Sequence, residues 1–335
     1  MTVRVAINGF GRIGRLVMRA IGESKGGEVL VVGINDLGPP ETNAHLLRHD
    51  SVHGRFPFEV TVKGDTLDAG KGPIKVTAEK DPSKLPWKDL GVDVALECTG
   101  IFTKHDKAAV HLAAGAKRVL ISAPGENADY TVVFGVNHAG LKPEHKVISN
   151  GSCTTNCLAP VAKVLNDLAG IHHGFMTTVH SYTGDQPTID TLHKDLRRAR
   201  AAALSMIPTS TGAAKAIGLV IPELAGKLDG VAVRVPTPNV SMIDLKVVMK
   251  RAVTIAEVNA AMTAAANGPL KGILSVTNEE LVSIDFNHNS SSATVDLPQT
   301  RVIDNTFVRV LAWYDNEWGF SSRMSDMAAV VAKLG

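Results

Sequence analysis

Residues 2–15 read TVRVAINGFGRIGR, and this run predicts the class of fold. Its first seven residues are rich in β-branched side chains, which favour a strand. Gly9, Gly11 and Gly14 follow with the spacing GxGxxG, and an amphipathic helical pattern comes after them. Between a strand and a helix, such glycines allow a tight turn and a close approach of the backbone to a pyrophosphate. We therefore predict an α/β protein with an N-terminal Rossmann-type dinucleotide-binding domain.

A carboxylate follows the second predicted strand. Residues 29–34 form an apolar, β-branched run, and Asp36 stands at its end. A carboxylate at this place meets the adenosine ribose hydroxyls, and its charge repels the 2′-phosphate of NADP. The glycine-rich turn and Asp36 together predict NAD as the cofactor, with amides at the helix N-terminus facing its phosphates.

The texture of the chain changes near residue 150. With 335 residues, 44% of them hydrophobic, two domains are expected. Short apolar runs before this point indicate buried parallel strands, whereas the longer, partly alternating runs after it indicate a mainly antiparallel sheet. After the first two strands, further strands are predicted at 92–96, 118–121, 131–136, 146–149, 231–235, 240–248 and 306–314. We predict an NAD-binding domain over 1–150, an α+β catalytic domain over 151–315, and a C-terminal helix within 316–335 that packs back on the first domain.

Composition excludes several classes of function. The net charge is +2 and charged residues make up 20% of the chain, which gives no overall field for binding nucleic acid or an anionic membrane. We find no signal peptide pattern and no apolar run long enough to span a bilayer. Three cysteines are too few for a disulfide framework and agree with a reducing compartment. The expectation is a cytoplasmic protein with no membrane or nucleic-acid partner.

Residues 152–157 read SCTTNC and place a thiol among hydroxyl groups. His180 follows Cys153 by 27 positions, so a base is available to this thiol, and a Cys/His nucleophilic pair is predicted. The apolar pattern after Cys153 predicts a helix whose N-terminus would favour a negative sulfur. Pro160 has no amide hydrogen, so we expect either a kink in this helix or a start later than Cys153.

The other cysteines and histidines have plainer interpretations. Cys157, one helical turn after Cys153, and Cys98, in an apolar run, are predicted to be structural. A metal site made of Cys153, Cys157 and His180 would lack the paired ligand spacing of zinc sites, so no metal is predicted. The remaining histidines are interpreted as surface or packing residues.

Seven segments carry a family resemblance that covers essentially the whole chain. In order they are NGFGRIGR, SCTTNC, HSYTGDQ, HKDLRRARAAA, PTSTGAAKA, VRVPTPNVS and YDNEWG. This set resembles the phosphorylating glyceraldehyde-3-phosphate dehydrogenase family. The resemblance implies the glycolytic oxidation and phosphorylation of D-glyceraldehyde 3-phosphate to 1,3-bisphosphoglycerate with NAD. Cys153 would form a thiohemiacetal, His180 would take its hydroxyl proton as hydride leaves, and phosphate would release the thioester. A homotetramer is also implied.

The resemblance assigns roles to further residues. For the C3 phosphate of the substrate it implies Thr183, Asp185, Arg198 and Arg234, the two arginines being suited to forked phosphate contacts. For inorganic phosphate it implies Ser152, Thr154, Thr211 and Gly212. For the cofactor it adds Arg12, Ile13, Ser122 and Asn316 to the three glycines and Asp36, with Asn316 holding the nicotinamide carboxamide. An alternative for Arg197, Arg198 and Arg200 is a solvated or subunit-contact face, and an alternative for Asn316 is an ordinary turn.

Two departures and two rival functions stay open at this point. Thr191 and Leu192 replace the Leu and Pro of many NAD-using members, which leaves the degree of NADP tolerance open. Phe320 replaces a common Tyr and removes one hydroxyl near the nicotinamide end. One rival is an erythrose-4-phosphate dehydrogenase, which opens its thioester with water; TGDQ after HSY favours the three-carbon enzyme. The other is an inactive NAD- or RNA-binding protein, which the retained catalytic groups disfavour.

Overall fold

The glycine-rich turn lies between a strand and a helix, as its sequence predicts. In the computed structural model, which describes residues 2–24 and 27–334, Val3–Asn8 forms strand β1 and Arg12–Glu23 forms helix α1. Strand β2, Val29–Asn35, follows and pairs with β1 in parallel. The residues of β1 after Arg4 are all buried, as expected for a central parallel strand covered on both faces. This β–α–β order confirms the Rossmann-type prediction.

Over the described residues the chain divides into two compact units. Unit 1 comprises Met1–Val132, His138–Gly151 and Ser321–Gly335, and unit 2 comprises Val133–Asn137 and Ser152–Phe320. The predicted domain limits at residues 150 and 315 stay a prediction.

Unit 1 is built on a mostly parallel sheet. Its further strands are β3 (His49–Asp50), β4 (Gly54–Arg55), β5 (Thr61–Lys63), β6 (Thr66–Asp68), β7 (Pro73–Thr77), β8 (Val94–Glu97), β9 (Arg118–Ile121), β10 (Tyr130–Thr131) and β11 (Val147–Ser149). Its further helices are α2 (Pro40–Arg48), α3 (His105–Ala108) and α4 (Val110–Ala113). The strand order is β10-β11-β9-β8-β1-β2-β7-β6-β5, parallel from β10 to β7, while β3 and β4 pair separately.

The parallel pairing places the last residues of several strands at one edge of this sheet. Asn8, the last residue of β1, lies opposite Asn35 of β2 on one side and Glu97 of β8 on the other. Glu97 in turn lies opposite Ile121, the last residue of β9. Carboxyl ends of neighbouring strands therefore meet at one edge, where open α/β sheets bind their ligands.

Unit 2 combines helices with a second sheet. Its helices are α5 (Cys153–Ala169), α6 (Ala213–Val220) and α7 (Ile255–Asn267). Its strands are β12 (Ile171–Ser181), β13 (Ile207–Ser210), β14 (Leu228–Val235), β15 (Ser241–Met249), β16 (Leu274–Thr277), β17 (Ala293–Asp296), β18 (Arg301–Ile303) and β19 (Phe307–Tyr314). The strand order is β13-β14-β12-β15-β19-β17-β16, with β18 paired to β19.

The pairing in this sheet is mostly antiparallel, which confirms the prediction for the catalytic part of the chain. The parallel exceptions are β12 with β14 and β16 with β17. Strand β15 alternates strictly between buried and half-buried residues, and Ile243, Leu245 and Val247 point into a core shared with α5, α6 and α7. An antiparallel sheet with one face on the core has this pattern.

Helix α5 begins at Cys153, so the expected alternative of a later start is wrong. Ser152 is its N-cap, and the Ser152 hydroxyl accepts a hydrogen bond from the Thr155 amide at 3.0 Å. This cap stabilises the first turn by satisfying one of its amides. Pro160 lies inside the helix, which continues to Ala169 and ends at Gly170 with φ of 66°.

One predicted strand is largely absent. Of the run 131–136, only Thr131 lies in a strand, β10, together with Tyr130. The amides of Val136 and Asn137 both donate to the Val133 carbonyl, so the apolar run leaves the sheet in a turn. Val132 and Val133 are nevertheless fully buried, because apolar side chains can pack without a strand.

The predicted C-terminal helix is present as α8, Trp318–Ala332. Met324, Met327, Ala328 and Val331, which share one helical face, are all fully buried. No helix within residues 2–24 and 27–334 is long and apolar enough to cross a membrane.

Candidate active site

Helix α5 and strand β12 bring the thiol and the imidazole together. Cys153 is the first residue of α5, and His180 is the penultimate residue of β12. The Cys153 Sγ lies 3.5 Å from His180 Nε2, which is hydrogen-bonding distance for sulfur. A nucleophile and its base require this proximity.

The second ring nitrogen determines which tautomer His180 adopts. Its Nδ1 lies 2.7 Å from the Ser181 carbonyl oxygen, which can only accept, so Nδ1 carries the hydrogen. Arg234 Nη1 lies 3.2 Å from Nδ1, but it can only donate, and it does so to the Ser181 carbonyl at 3.1 Å and the Thr183 hydroxyl at 2.8 Å. Nε2 therefore presents its lone pair to Cys153 and can accept the thiol proton.

Burial favours the neutral form of both partners. It raises the pKa of Cys153, although the nearby charge of Arg234 and hydrogen bonds from Thr154 oppose the shift. Burial, aided by the charge of Arg234, lowers the pKa of His180 to about 3. The start of α5 also favours a thiolate, whereas burial favours a thiol facing a neutral imidazole.

The four residues assigned to the C3 phosphate form one cluster. Arg198 Nη1 donates to Asp185 Oδ2 at 3.0 Å, the Thr183 hydroxyl also donates to Asp185, and Arg234 donates to Thr183. Burial alone would raise the pKa of Asp185, but the Thr183 hydroxyl and the two guanidinium groups lower it. A charged Asp185 therefore holds these side chains together, and a bound phosphate would share their donors.

The residues assigned to inorganic phosphate lie at two helix N-termini. Ser152 caps α5, and its hydroxyl lies 2.7 Å from that of Thr155. Thr211 precedes Gly212, the N-cap of α6, and the Thr211 hydroxyl accepts from the Ala213 amide at 3.2 Å. Backbone amides at such N-termini favour anions.

Tyr314 is a buried partner of the site that the sequence interpretation did not single out. Its hydroxyl lies 2.9 Å from the Thr154 hydroxyl and 2.8 Å from the Thr178 hydroxyl. Its ring stands edge-on to the His180 ring, with centroids 5.9 Å apart. Thr154, assigned to the phosphate site, thus already shares its hydroxyl with Tyr314. The only hint in the sequence is that Tyr314 begins the segment YDNEWG.

Two buried serines orient the amide of Asn316. The hydroxyls of Ser181 and Ser241 donate to Asn316 Oδ1 at 2.9 Å and 2.8 Å. Ser241 Oγ also accepts from the Ser181 amide, so its own proton is available only for Asn316 or for Ser181 Oγ at 3.5 Å. With Oδ1 occupied in this way, Nδ2 is the free donor, and it has no hydrogen-bond partner in the described part of the chain.

In unit 1 the glycine-rich turn borders a cavity of about 520 Å³. Gly9, Gly11 and Asp36 line it together with the apolar side chains of Leu37 and Phe102. Sequence interpretation missed Leu37 and Phe102, because single apolar residues in loops carry no distinguishing pattern.

The glycines have the packing that a dinucleotide requires. A Cβ on Gly14 would lie 2.0 Å from the Gly9 carbonyl oxygen, and one on Gly9 would lie 2.7 Å from the Thr99 amide nitrogen. A Cβ on Gly11, the N-cap of α1, would meet no atom within 4 Å. The turn is therefore tightly packed on its inner side and open at the start of the helix, and this fits a pyrophosphate.

Asp36 is fixed to this turn. Its Oδ2 accepts from the Phe10 amide at 2.8 Å, and its Oδ1 accepts from the Gly38 amide at 2.9 Å. Each carboxylate oxygen has a second lone pair, so the group can still accept from ribose hydroxyls.

The side chain of Arg12 is engaged elsewhere. Its guanidinium contacts the Asp50 carboxylate at 3.0 Å. Burial would raise the pKa of Asp50, but the His53 and Val52 amides and Arg12 outweigh it and lower the pKa to about 2. Arg12 and Ile13 are the first residues of α1, so what they offer at the turn is their backbone amides.

Ser122 and the two other cysteines also have defined places. Ser122 follows β9, and its amide donates to the Glu97 carbonyl at 3.0 Å. Burial and then the charge of Glu97 raise the pKa of Cys98 to about 12, and burial raises that of Cys157 well above its usual value. Both thiols are therefore protonated and unreactive at neutral pH.

Comparisons with known proteins agree with this geometry. Residues 3–105 match the family model described as the glyceraldehyde 3-phosphate dehydrogenase NAD binding domain, and residues 152–316 match the model of the C-terminal domain. A protein of Xanthobacter flavus named glyceraldehyde-3-phosphate dehydrogenase is 71% identical over 335 residues, all of both chains. Proteins of the same name from Cereibacter sphaeroides and Geobacillus stearothermophilus are 65% and 57% identical, again over all of both chains.

Proposed function

The chain belongs to the glyceraldehyde-3-phosphate dehydrogenase family, and we propose that Cys153 and His180 perform its chemistry. The protein is an NAD-dependent enzyme that oxidises and phosphorylates D-glyceraldehyde 3-phosphate to 1,3-bisphosphoglycerate. The observation that supports the two residue roles is the 3.5 Å contact from Cys153 Sγ to a His180 Nε2 whose tautomer makes it an acceptor.

The first step forms a thiohemiacetal. The Cys153 sulfur attacks the aldehyde carbon, and the thiol proton passes to His180 Nε2. His180 then returns this proton to the oxygen of the former carbonyl. The low pKa of the buried imidazole favours this second proton transfer, because a protonated His180 then gives up its proton readily.

The second step oxidises the carbon. His180 Nε2 takes the hydroxyl proton while hydride leaves, and a thioester on Cys153 results. NAD, when bound, is the hydride acceptor. Orthophosphate then attacks the thioester carbonyl, and the carbon–sulfur bond breaks. The acyl phosphate is released, and Cys153 becomes a thiolate that then recovers its proton.

The cofactor is held by residues of defined geometry. We propose that Gly9, Gly11 and Gly14 shape the pyrophosphate site, with the amides of Arg12 and Ile13 as donors. Asp36 accepts from the adenosine ribose, and the apolar walls formed by Leu37 and Phe102 suit the adenine ring. Ser122 and Asn316 complete the set, with the oriented Nδ2 of Asn316 as donor to the nicotinamide carboxamide oxygen.

Two groups of residues hold the phosphates in this proposal. Thr183, Asp185, Arg198 and Arg234 form the C3 phosphate site, and Ser152, Thr154, Thr211 and Gly212 the site for attacking phosphate. In the first group the guanidinium groups already converge through Asp185. In the second group the hydroxyls stand beside helix N-termini.

We also propose a homotetramer. One face of the sheet in unit 2 exposes Phe175, Val231 and Phe307, and the segment between β12 and β13 exposes Leu192 and Leu196. Exposed apolar side chains on one face of a sheet support the use of that face in association. Light scattering coupled to size exclusion should give a mass four times 35.4 kDa; a stable active monomer would contradict this proposal.

A cytoplasmic location completes the proposal. All three cysteines are free thiols, as expected in a reducing compartment. Expression of the protein with a fluorescent tag in its own host would test the location.

Turnover with and without phosphate is the decisive experiment. NADH formation from glyceraldehyde 3-phosphate should continue only when inorganic phosphate is present, because phosphate releases the thioester. Cys153→Ser should abolish turnover, whereas Cys157→Ala, one helical turn away, is the matched control and should retain it. Turnover that is indifferent to phosphate would mean that water opens the thioester, and activity in Cys153→Ser would contradict the role of this thiol.

A further inference from the structure

A buried carboxylate lies beside the glycine-rich turn, and the reaction described above does not use it. Glu97 is the last residue of β8 and is 1% exposed. Its neighbours His111, in α4, and Asn8, at the end of β1, are 0% and 2% exposed. A carboxylate removed from water in this way is costly unless its oxygens are fully hydrogen-bonded.

Each oxygen of Glu97 faces two donors. Oε2 accepts from Asn8 Nδ2 at 2.6 Å and from His111 Nε2 at 2.9 Å. Oε1 accepts from the Thr99 amide at 2.8 Å and also from the Thr99 hydroxyl. The carboxylate is therefore surrounded by four hydrogen-bond donors.

Trp87 fixes the protonation of His111. The Trp87 indole Nε1 lies 3.0 Å from His111 Nδ1, and an indole N–H can only donate. Nδ1 must therefore be the acceptor, so the single ring hydrogen is on Nε2 and points at Glu97. His111 is thus a neutral donor rather than the cation of an ion pair. Trp87 and His111 are both fully buried, so water does not compete for these bonds.

The network reaches the turn from two sides. Asn8 immediately precedes Gly9, and its Oδ1 accepts from Asn35 Nδ2 at 2.8 Å, which fixes the direction of its amide. Thr99 packs against Gly9 from the other side, so closely that a Cβ on Gly9 would lie 2.7 Å from the Thr99 amide nitrogen. Glu97 thus holds both neighbours of Gly9 in place through its two oxygens.

We propose that Glu97, with neutral His111 as its fixed donor, is a positioning residue that holds the Asn8–Gly9 turn in the shape that binds the dinucleotide. This inference rests on the proposed cofactor site. Glu97 is buried and does not line the cavity beside the turn, so its effect falls on the affinity for NAD through the turn. Pre-forming the turn removes an ordering cost that binding would otherwise have to meet.

Glu97→Gln tests this inference because it keeps the shape and changes one oxygen into a donor. In either orientation the new NH₂ group faces two existing donors. The pair on the Oε2 side cannot adjust, since Asn35 fixes Asn8 and Trp87 fixes His111. We expect the dissociation constant for NAD, measured by isothermal titration calorimetry, to rise by about tenfold or more. The rate of Cys153 alkylation by iodoacetamide without NAD and kcat at saturating NAD should change by less than about threefold, since neither depends on the turn.

Asp93→Asn is the matched control. Asp93 precedes the opposite end of β8, and its carboxylate accepts from the Arg4 amide at 2.9 Å and Lys117 Nζ at 2.7 Å. The Asp93→Asn change should leave the NAD dissociation constant unchanged even if the lost carboxylate lowers the melting temperature. Suppose that Glu97→Gln lowers the melting temperature as much as Asp93→Asn does but binds NAD like the wild type. This result would overturn the inference, because Glu97 would then be only structural.

A second pair of variants covers the case in which Glu97→Gln does not fold. Thr99→Ser keeps the hydroxyl donated to Glu97, and Thr99→Val keeps the shape but removes it. We expect weaker NAD binding for the valine variant than for the serine variant. Equal affinities would overturn the inference, and wild-type protein that does not bind NAD would overturn it together with the cofactor site.

Discussion

Replacing His180 by asparagine should make the protein less sensitive to acid. Burial and the charge of Arg234 lower the pKa of His180 to about 3, against an ordinary value of 6.5. Between these two pH values the unfolded chain binds a proton at this imidazole and the folded chain does not, so falling pH favours unfolding. The contribution of neutral His180 to the free energy of unfolding is complete above pH 6.5. It declines as the pH falls, until the pKa of the folded state is reached.

The size of this effect follows from the shift. Each pH unit below 6.5 costs about 1.4 kcal/mol, so lowering the pH from 7 to 5 removes about 2 kcal/mol of unfolding free energy through His180 alone. His180→Asn has no group to titrate here and should escape that loss. For a chain of this length, 2 kcal/mol corresponds to roughly 3 °C in melting temperature.

Differential scanning calorimetry of both proteins at pH 7 and pH 5 measures this difference. Protein concentration is held constant, since association shifts the melting temperature. The wild type should lose roughly 3 °C more than His180→Asn between the two pH values, whatever the variant's stability at pH 7. His173→Asn, an exposed histidine of the same strand, controls for the loss of one imidazole. Equal losses in wild type and His180→Asn would refute the assignment of a buried neutral imidazole.

Three further predictions concern the turn, the phosphate cluster and the buried tyrosine. Gly14→Ala places a Cβ 2.0 Å from a backbone oxygen and should abolish NAD binding in a titration, while Gly11→Ala, with open space at its Cβ, should bind more tightly than Gly14→Ala. Arg234→Lys loses the forked guanidinium, so KM for glyceraldehyde 3-phosphate should rise about tenfold or more in steady-state assays; an unchanged KM would place the C3 phosphate elsewhere. Tyr314→Phe removes a hydroxyl shared by two threonines and should lower the unfolding free energy by about 1–3 kcal/mol in urea titration. An unchanged unfolding free energy would mean that water replaces the hydroxyl.

The fold of unit 1 was predictable because its signals are local. The glycines at 9, 11 and 14 and the carboxylate of Asp36 each follow a strand within a few residues, and a parallel sheet then sets where strand ends meet. The prediction over 131–136 failed for a related reason. An apolar run shows that residues are buried, but only backbone pairing makes a strand, and here the amides turn back to the Val133 carbonyl.

The parts of the site that sequence did not predict are contacts between distant residues. Tyr314 of β19 meets Thr154 of α5 across 160 positions and Thr178 of β12 across 136, so these contacts depend on the strand order and on the packing of α5 against the sheet. Glu97 lies next to Cys98 in an apolar run, and its four donors come from two other segments of the chain and from the loop after it. A carboxylate at the end of a buried parallel strand was the available signal, because such a group needs donors from neighbouring strands.

The charge of Arg234 acts on the pKa of both members of the catalytic pair. Its charge lowers the pKa of His180 and opposes the rise in the pKa of Cys153. Transfer of the proton from thiol to imidazole depends on the difference between the two values, and because Arg234 lowers both, its two effects partly cancel in this difference. Loss of the proton to solvent depends on the thiol alone, and Arg234 makes that easier.

Burial acts in the opposite sense, because it raises one pKa and lowers the other and so widens the difference. Burial therefore favours a neutral resting pair, and the positive charge of Arg234 favours the thiolate without charging the imidazole. His180 then remains an acceptor when the hydroxyl of the thiohemiacetal has to lose its proton. In the proposed mechanism His180 first carries the Cys153 proton and then returns it to the substrate oxygen, so a low pKa leaves the imidazole neutral again when the oxidation step needs a base.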